Sequence, residues 1–210
     1  MQTGSYNAAA PTALPLLIFP APQPSLLAVV RQNKIEPFHQ GKLDGLCGLY
    51  APIKALRLVR LGHAPLSRLQ CKQLFADGTH FLNRRGKFGE IATEGMGLRR
   101  SYSLACHLAK KASTEKFAFQ IERPQHQLWG SINDVFEWIE ASLVLHQPVL
   151  IPLANSLDHY SVVVGTTAKA LHLFDSSGVS FVRKSNCGLR KGIHHIPPSG
   201  LLRFTVRPSG

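Results

Sequence analysis

The stretch LCGLYAPIKALRLVRLG, residues 46–62, has apolar residues at the spacing of a helix face. The positions that share this spacing are Leu49, Ile53, Leu56 and Arg60. The pattern predicts a largely buried helix that ends at Gly62. Because a proline is tolerated only in or near the first turn of a helix, Pro52 requires the helix to begin shortly before it.

The second half of the sequence has a strand pattern. Short runs rich in β-branched and aromatic residues are separated by Gly, Asn, Ser or Pro, which predicts antiparallel, hairpin-linked strands. The runs are PVLIPLA (148–154), HYSVVVG (159–165), ALHLFD (170–175), VSFVRK (179–184) and LLRFTV (201–206).

Further helices are predicted before the sheet. Segments 65–76 and 101–112 have helical spacing, and Ser131 with Asp134 forms a capping-box-like start of another helix. The Gly-rich segment 84–100 predicts irregular structure. Helices followed by a sheet indicate an α+β fold whose two halves pack together.

The N-terminal segment differs in composition from the rest. Residues 1–30 have no charged side chain and are interrupted repeatedly by proline, which forbids a long helix. We predict an uncharged Pro-rich arm over 1–30 and a single folded domain over 31–210. The arm has neither the positive start nor the clean apolar stretch of a signal peptide, and no apolar run approaches the roughly 20 residues of a membrane span.

The chain is strongly basic. It has 24 Lys and Arg against 12 Asp and Glu, a net charge of +12 and a pI near 10.0. Such a surface attracts acidic partners. The bases are scattered in pairs without interleaved aromatics or a known nucleic-acid motif, so the sequence does not support a specific nucleic-acid reader. We expect a protein or peptide partner, and the basic surface favours an acidic one.

The four cysteines are widely spaced and form no CxxC pair. With no secretory signal, we expect free thiols in a reducing compartment, either the cytoplasm or a target cell that receives the protein. A zinc site is the alternative, although adjacent residues point in different directions and each pair would offer one ligand at best. Its residues would be Cys106-His107, Cys187 and His194-His195. We expect no metal and no other cofactor.

Three residues are candidates for nucleophilic catalysis. Cys47 lies at the start of the predicted helix, where backbone dipoles favour a thiolate. His159 begins one predicted strand and Asp175 ends the next. Because a short connection joins these strands, His159 and Asp175 should be cross-strand neighbours, and the carboxylate can then fix the imidazole that deprotonates Cys47.

Other polar residues lie near this predicted site. Gln40, upstream of Cys47, could donate to an oxyanion together with the backbone N–H of Cys47. The glycines that flank the cysteine should allow a tight turn and close approach of a substrate carbonyl. The possible cleft residues are Asp44, Gly45, Gly48 and Asp158.

The string HQGKLDGLCGLYAPIKAL (39–56), followed by DHYSVVVG (158–165) and LFD (173–175), resembles the papain-like cysteine peptidase superfamily. It is similar in style to compact bacterial members such as bacteriocin-leader peptidases and effector proteases. The order Gln, Cys, His, Asp matches that superfamily and not the adenain and SUMO-protease type, in which His precedes Cys. The remaining sequence matches only as a pattern of elements.

This resemblance implies a two-lobe fold, with an N-terminal helical lobe led by the Cys helix and a C-terminal antiparallel sheet that carries His and Asp. It also suggests a secreted effector or toxin, with a possible inhibitor or immunity protein as partner. Three departures are visible: Gln40 lies one residue further from Cys47 than is usual, Ser176 replaces a Trp or Pro, and Lys54 replaces an Asn often found in the Cys helix.

The function predicted from these residues is hydrolysis of a peptide or isopeptide bond through a thioester acyl-enzyme. A papain-like glutamine deamidase or acyltransferase would use the same three residues with a different leaving group or acceptor. A third alternative is a non-catalytic basic binding module on a degenerate protease fold.

Overall fold

The computed structural model describes residues 24–41, 44–84, 86–124, 129–190 and 192–208. Its helices are α1 (Leu26–Gln32), α2 (Cys47–Val59), α3 (Arg68–Asn83), α4 (Phe88–Glu94), α5 (Leu98–Ala112) and α6 (Ile132–Val144). Its strands are β1 (Phe117–Glu122), β2 (Val149–Asn155), β3 (His159–Thr166), β4 (Ala170–Leu173), β5 (Phe181–Arg183), β6 (Cys187–Gly188), β7 (His194–His195) and β8 (Leu202–Pro208). Two short 3₁₀ helices span Lys184–Asn186 and Pro198–Gly200.

The main sheet has the strand order β1-β8-β2-β3-β4-β5, and each neighbouring pair in it is antiparallel. The short strands β6 and β7 pair in parallel beside it. Helix α2 packs against the central strand β3 and also contacts α3 and α5, so it lies between the sheet and the other helices. The predicted α+β fold is confirmed, and the five predicted strand runs overlap β2, β3, β4, β5 and β8.

Helix α2 is nearly the helix that the sequence predicts. It begins at Cys47 and places Pro52 in its second turn, and it ends at Val59 with Arg60 as its C-cap, three residues before the predicted end at Gly62. Its apolar side chains are buried because α2 has neighbours on several sides. The predicted capping box at Ser131 and Asp134 is also confirmed at the start of α6.

Two elements differ from the sequence prediction. Segment 84–100, predicted as irregular, contains α4 and the start of α5, because the fully buried Ile91 anchors a short helix despite the surrounding glycines. Strand β1 was not predicted at all. Its alternation of Phe117, Phe119 and Ile121 with smaller or polar residues is a period-two signal that could have identified it.

Helix α1 lies across the predicted domain boundary at residue 31. Helix α1 begins at Leu26 behind an N-cap at Ser25, and Leu26 and Val30 are buried in the core. The helix packs against β3, where Gly165 has no side chain and allows Leu27 to approach closely. Residues 1–23 of the predicted arm lie outside the described residues. Among the described residues, no helix combines the length and apolar character that a membrane span requires.

We predict that Leu26→Ala lowers the free energy of unfolding by about 2–4 kcal/mol, because it leaves a cavity between α1 and the sheet. Urea unfolding measures this change. The matched control is Leu69→Ala, at a leucine that is 77% exposed, where we expect an effect below about 0.5 kcal/mol. Equal stability of the two variants would show that α1 is not part of the folded core.

Candidate active site

Cys47 is the first residue of α2, and its side chain is buried except for a small exposed surface of 5%. No side chain caps this helix end. The first backbone N–H groups of a helix have no intrahelical acceptor, and the helix dipole places partial positive charge there. The sulfur therefore lies where a thiolate is stabilised, beside the backbone N–H of Cys47 itself.

His159 and Asp175 are directly bonded. The distance from His159 Nε2 to Asp175 Oδ2 is 2.6 Å, and both side chains are buried. Strands β3 and β4 pair antiparallel, which brings the start of β3 beside the segment that follows β4. The predicted cross-strand contact of these two residues is confirmed. With Nε2 bound to the carboxylate, Nδ1 is the ring nitrogen left for a nucleophile.

The carboxylate of Asp175 is held rigidly. Its Oδ1 accepts hydrogen bonds from the backbone N–H groups of Ser177 at 2.7 Å and Val179 at 3.3 Å. Burial would raise its pKa, but interactions with His159, Ser161 and Lys54 together outweigh burial and keep the pKa of Asp175 well below its usual range. Asp175 is therefore an ionised acceptor that fixes the orientation of the imidazole.

The surroundings of His159 favour its protonated form. Burial alone would lower its pKa, yet hydrogen bonds with Asp175 and Cys47 and the negative charges of both groups raise the pKa to about 9. The interaction with Cys47 places the thiol next to the ring. A protonated imidazole between a carboxylate and a cysteine is a suitable partner for a sulfur nucleophile.

Gln40 forms hydrogen bonds with the segment that carries Asp175. Its backbone N–H donates to the Ser176 carbonyl at 3.1 Å, and its Oε1 accepts from the Ser176 hydroxyl at 3.0 Å. Its Nε2 donates to the Asp44 carbonyl at 3.1 Å. An amide nitrogen has two hydrogens, so one remains for a substrate oxygen. Ser176, at one of the positions that departs from the papain-like pattern, thus orients the Gln40 amide.

Asp44 holds the loop that precedes α2. Its two carboxylate oxygens accept from the backbone N–H groups of Gly41 at 2.7 Å and Leu46 at 3.2 Å. Because both oxygens already accept hydrogen bonds from the backbone, Asp44 stabilises the loop and is less available to contact a substrate.

The two glycines around Cys47 are explained by packing. Neither has a positive φ. A methyl group on Gly45 would lie 3.0 Å from the backbone nitrogen of Gly95, and one on Gly48 would crowd Met96 and Tyr160. Gly48 is buried, which contradicts the expectation that it leaves room for a substrate carbonyl.

Asp158 does not orient the histidine. It is exposed, lies in the left-handed region with a φ of 43°, and precedes β3. The bonded carboxylate partner of His159 is Asp175, as the alternation of side chains along a strand predicts.

One buried charge beside the site has no role in the sequence-based prediction. Lys54, on the same face of α2 as Cys47 and two turns later, has no exposed surface. Burial lowers its pKa to about 8, against the opposing attraction of Asp175 and Cys47. A lysine on an otherwise apolar helix face is the sequence signal that could have drawn attention to it.

No metal centre is found among the described residues, which contain no group of three or more His, Cys, Asp or Glu that could hold an ion. All four cysteines are free thiols. Of the alternative zinc ligands, Cys187 and His194 are neighbours in β6 and β7, but His194 Nδ1 is bonded to the Ser156 hydroxyl at 2.8 Å.

Comparisons with protein-family models, curated proteins and solved structures returned no match to this chain. The chemical interpretation therefore rests on the residues of the site.

We predict that the stability of the wild-type protein relative to His159→Gln falls by about 1–2 kcal/mol as the pH rises from 6.5 to 8. In the folded state the pKa of His159 is raised to about 9, whereas in the unfolded state it is 6.5. The protonated histidine therefore stabilises the folded state fully below pH 6.5. This stabilisation is lost as the pH rises towards 9. Urea unfolding at several pH values measures the difference. A difference that does not change with pH would contradict the raised pKa.

Proposed function

We propose that this chain is a cysteine hydrolase that cleaves peptide or isopeptide bonds, with Cys47 as nucleophile, His159 as general base and acid, and Asp175 as the orienting carboxylate. The observation that carries the proposal is the buried 2.6 Å bond between His159 and Asp175, beside a cysteine at a helix N-terminus. The order of residues and the α+β fold agree with a papain-like two-lobe architecture.

In the proposed reaction the Cys47 sulfur attacks the substrate carbonyl carbon. A C–S bond forms, and the carbonyl oxygen becomes negatively charged. The backbone N–H of Cys47 and the remaining amide hydrogen of Gln40 donate to this oxygen. His159 gives its proton to the leaving amine as the C–N bond breaks, which leaves a thioester. His159 then takes a proton from water, whose oxygen displaces the sulfur.

A glutamine deamidase or acyltransferase would use the same first steps, because only the leaving group or the acceptor differs. The basic charge of the chain favours an acidic substrate in either case. A role as a secreted effector or toxin, with an immunity protein as partner, stays a prediction of the resemblance.

We predict that iodoacetamide alkylates Cys47 at pH 6 at least about tenfold faster than a free cysteine, whose pKa near 8.5 leaves little thiolate there. His159→Ala should remove most of this advantage, because the imidazolium no longer stabilises the thiolate. Mass spectrometry of the Cys47 peptide measures the rate. The control is His172→Ala, at a histidine on β4 outside the site. Unchanged labelling in His159→Ala would contradict an activated pair.

The reaction type can be tested with a mixture of acidic peptides that contain glutamine. Cleavage yields two fragments, and deamidation adds about one dalton to an intact peptide. We expect fragments with the wild-type protein and none with Cys47→Ala. Intact peptides with the added mass would support the deamidase, and no product from any peptide together with an unreactive Cys47 would favour the binding module.

We predict that Gln40→Ala lowers the cleavage rate by roughly 10²-fold, the usual effect of losing one oxyanion donor. Its rate of alkylation by iodoacetamide should be unchanged, because that reaction forms no oxyanion. Ser176→Ala should have a smaller effect on cleavage, since it removes only the group that orients the amide. Equal losses of alkylation and cleavage in Gln40→Ala would show that Gln40 supports the fold of the site instead.

A further inference from the structure

Lys54 is a buried cation whose ammonium forms no hydrogen bond within the described part of the chain. Its side chain has no solvent exposure, and among the described residues its Nζ has no hydrogen-bond partner. An ammonium group removed from water without a partner is strongly disfavoured unless nearby negative charge offsets the lost hydration. The position of this residue therefore calls for an electrostatic explanation.

The negative groups that act on Lys54 belong to the proposed active site. Asp175, after β4, and Cys47, on the same helix, are the two groups whose charges favour its protonated form. Strand β3, which packs against α2, contributes His159 and Tyr160 at this end, and the Tyr160 hydroxyl is bonded to the Met96 carbonyl at 2.7 Å.

Three titratable groups on the other elements packed against α2 have charged or polar partners of their own. On α3 the buried Cys71 interacts with Arg57, on β8 Arg203 is bonded to Glu122, and on α5 Cys106 interacts with a neighbouring tyrosine. Strand β2 has no titratable side chain. Burial acts against the ammonium of Lys54, and the charges that favour it are those of Asp175 and Cys47.

The sum of charges in the site explains why a cation is needed. In the reactive form, the thiolate of Cys47 and the carboxylate of Asp175 each carry a negative charge, and the imidazolium of His159 carries one positive charge. These three residues together have a net charge of −1 in a buried environment. The ammonium of Lys54 brings the sum to zero. A neutral orienting amide in place of Asp175 would not require this balance.

We propose that Lys54 is a positioning residue whose buried ammonium balances the charge of the Cys47–His159–Asp175 group, so that the thiolate forms beside an ionised Asp175. This inference rests on the proposed function. It predicts that removal of the ammonium raises the pH at which Cys47 becomes reactive, although Lys54 does not contact the substrate.

The test is the pH dependence of Cys47 alkylation by iodoacetamide in Lys54→Met, a variant with a side chain of similar shape and no charge. We expect the midpoint of the reactivity profile to move upward by about one pH unit or more, the usual effect of losing a nearby opposite charge. Lys110→Met, at an exposed lysine on α5, should keep the wild-type midpoint. A folded Lys54→Met protein with the wild-type midpoint would overturn the proposal.

A second variant decides the case in which Lys54→Met does not fold. In Lys54→Met/Asp175→Asn both buried charges are absent, and the asparagine oxygen can still accept the bond from His159. If Lys54 balances charge, the double variant folds and unfolds cooperatively in urea, although Lys54→Met does not. A double variant that is no more stable than Lys54→Met would show that Lys54 only fills space, which overturns the proposal.

Failure of this inference can be told apart from failure of the proposed function. A reactivity midpoint that depends on His159 but not on Lys54 would leave the hydrolase in place and remove the role of Lys54. A wild-type midpoint equal to that of free cysteine, and indifferent to His159→Ala, would remove both.

Discussion

The proposed site depends on the bond between His159, at the start of strand β3, and Asp175, which follows strand β4. At 2.6 Å and largely out of contact with solvent, it fixes which ring nitrogen faces the carboxylate and which is left for the nucleophile. A buried carboxylate is costly unless it is well bonded, and Asp175 is bonded to His159 and to two backbone N–H groups. The fold therefore holds the imidazole in one orientation before any substrate arrives.

Helix α2 and the loop before it place Cys47 and Gln40 near this bond. The packing of α2 on β3 brings the N-terminus of the helix, and with it Cys47, to the His159 ring. The hydrogen bonds between Gln40 and Ser176 attach the loop before α2 to the segment after β4. Side chains from both halves of the chain are thus brought together by packing of the helices on the sheet, and a substrate would meet a site that needs little rearrangement.

Much of this site could be predicted from the sequence because its parts have local signals. The helix that begins at Cys47 can be recognised from the spacing of its apolar residues. The short connection between the β3 and β4 runs makes His159 and Asp175 neighbours independently of the other elements. The elements that were missed depend on distant contacts. Strand β1 pairs with β8, so that Phe117 lies opposite Pro208, and α1 is stabilised by its packing on β3. The role of Lys54 could not be predicted because burial of a lysine depends on which elements cover its helix face.

The central claim is that His159 exists as an imidazolium held between Asp175 and the Cys47 thiolate. The most direct test is an NMR titration of the His159 ring in the wild-type protein and in Cys47→Ala. The account predicts that the ring of the wild-type protein stays protonated up to a pH of about 9, and that its pKa falls when the thiolate is removed. A ring that titrates near its ordinary value of 6.5 in both proteins would contradict the account.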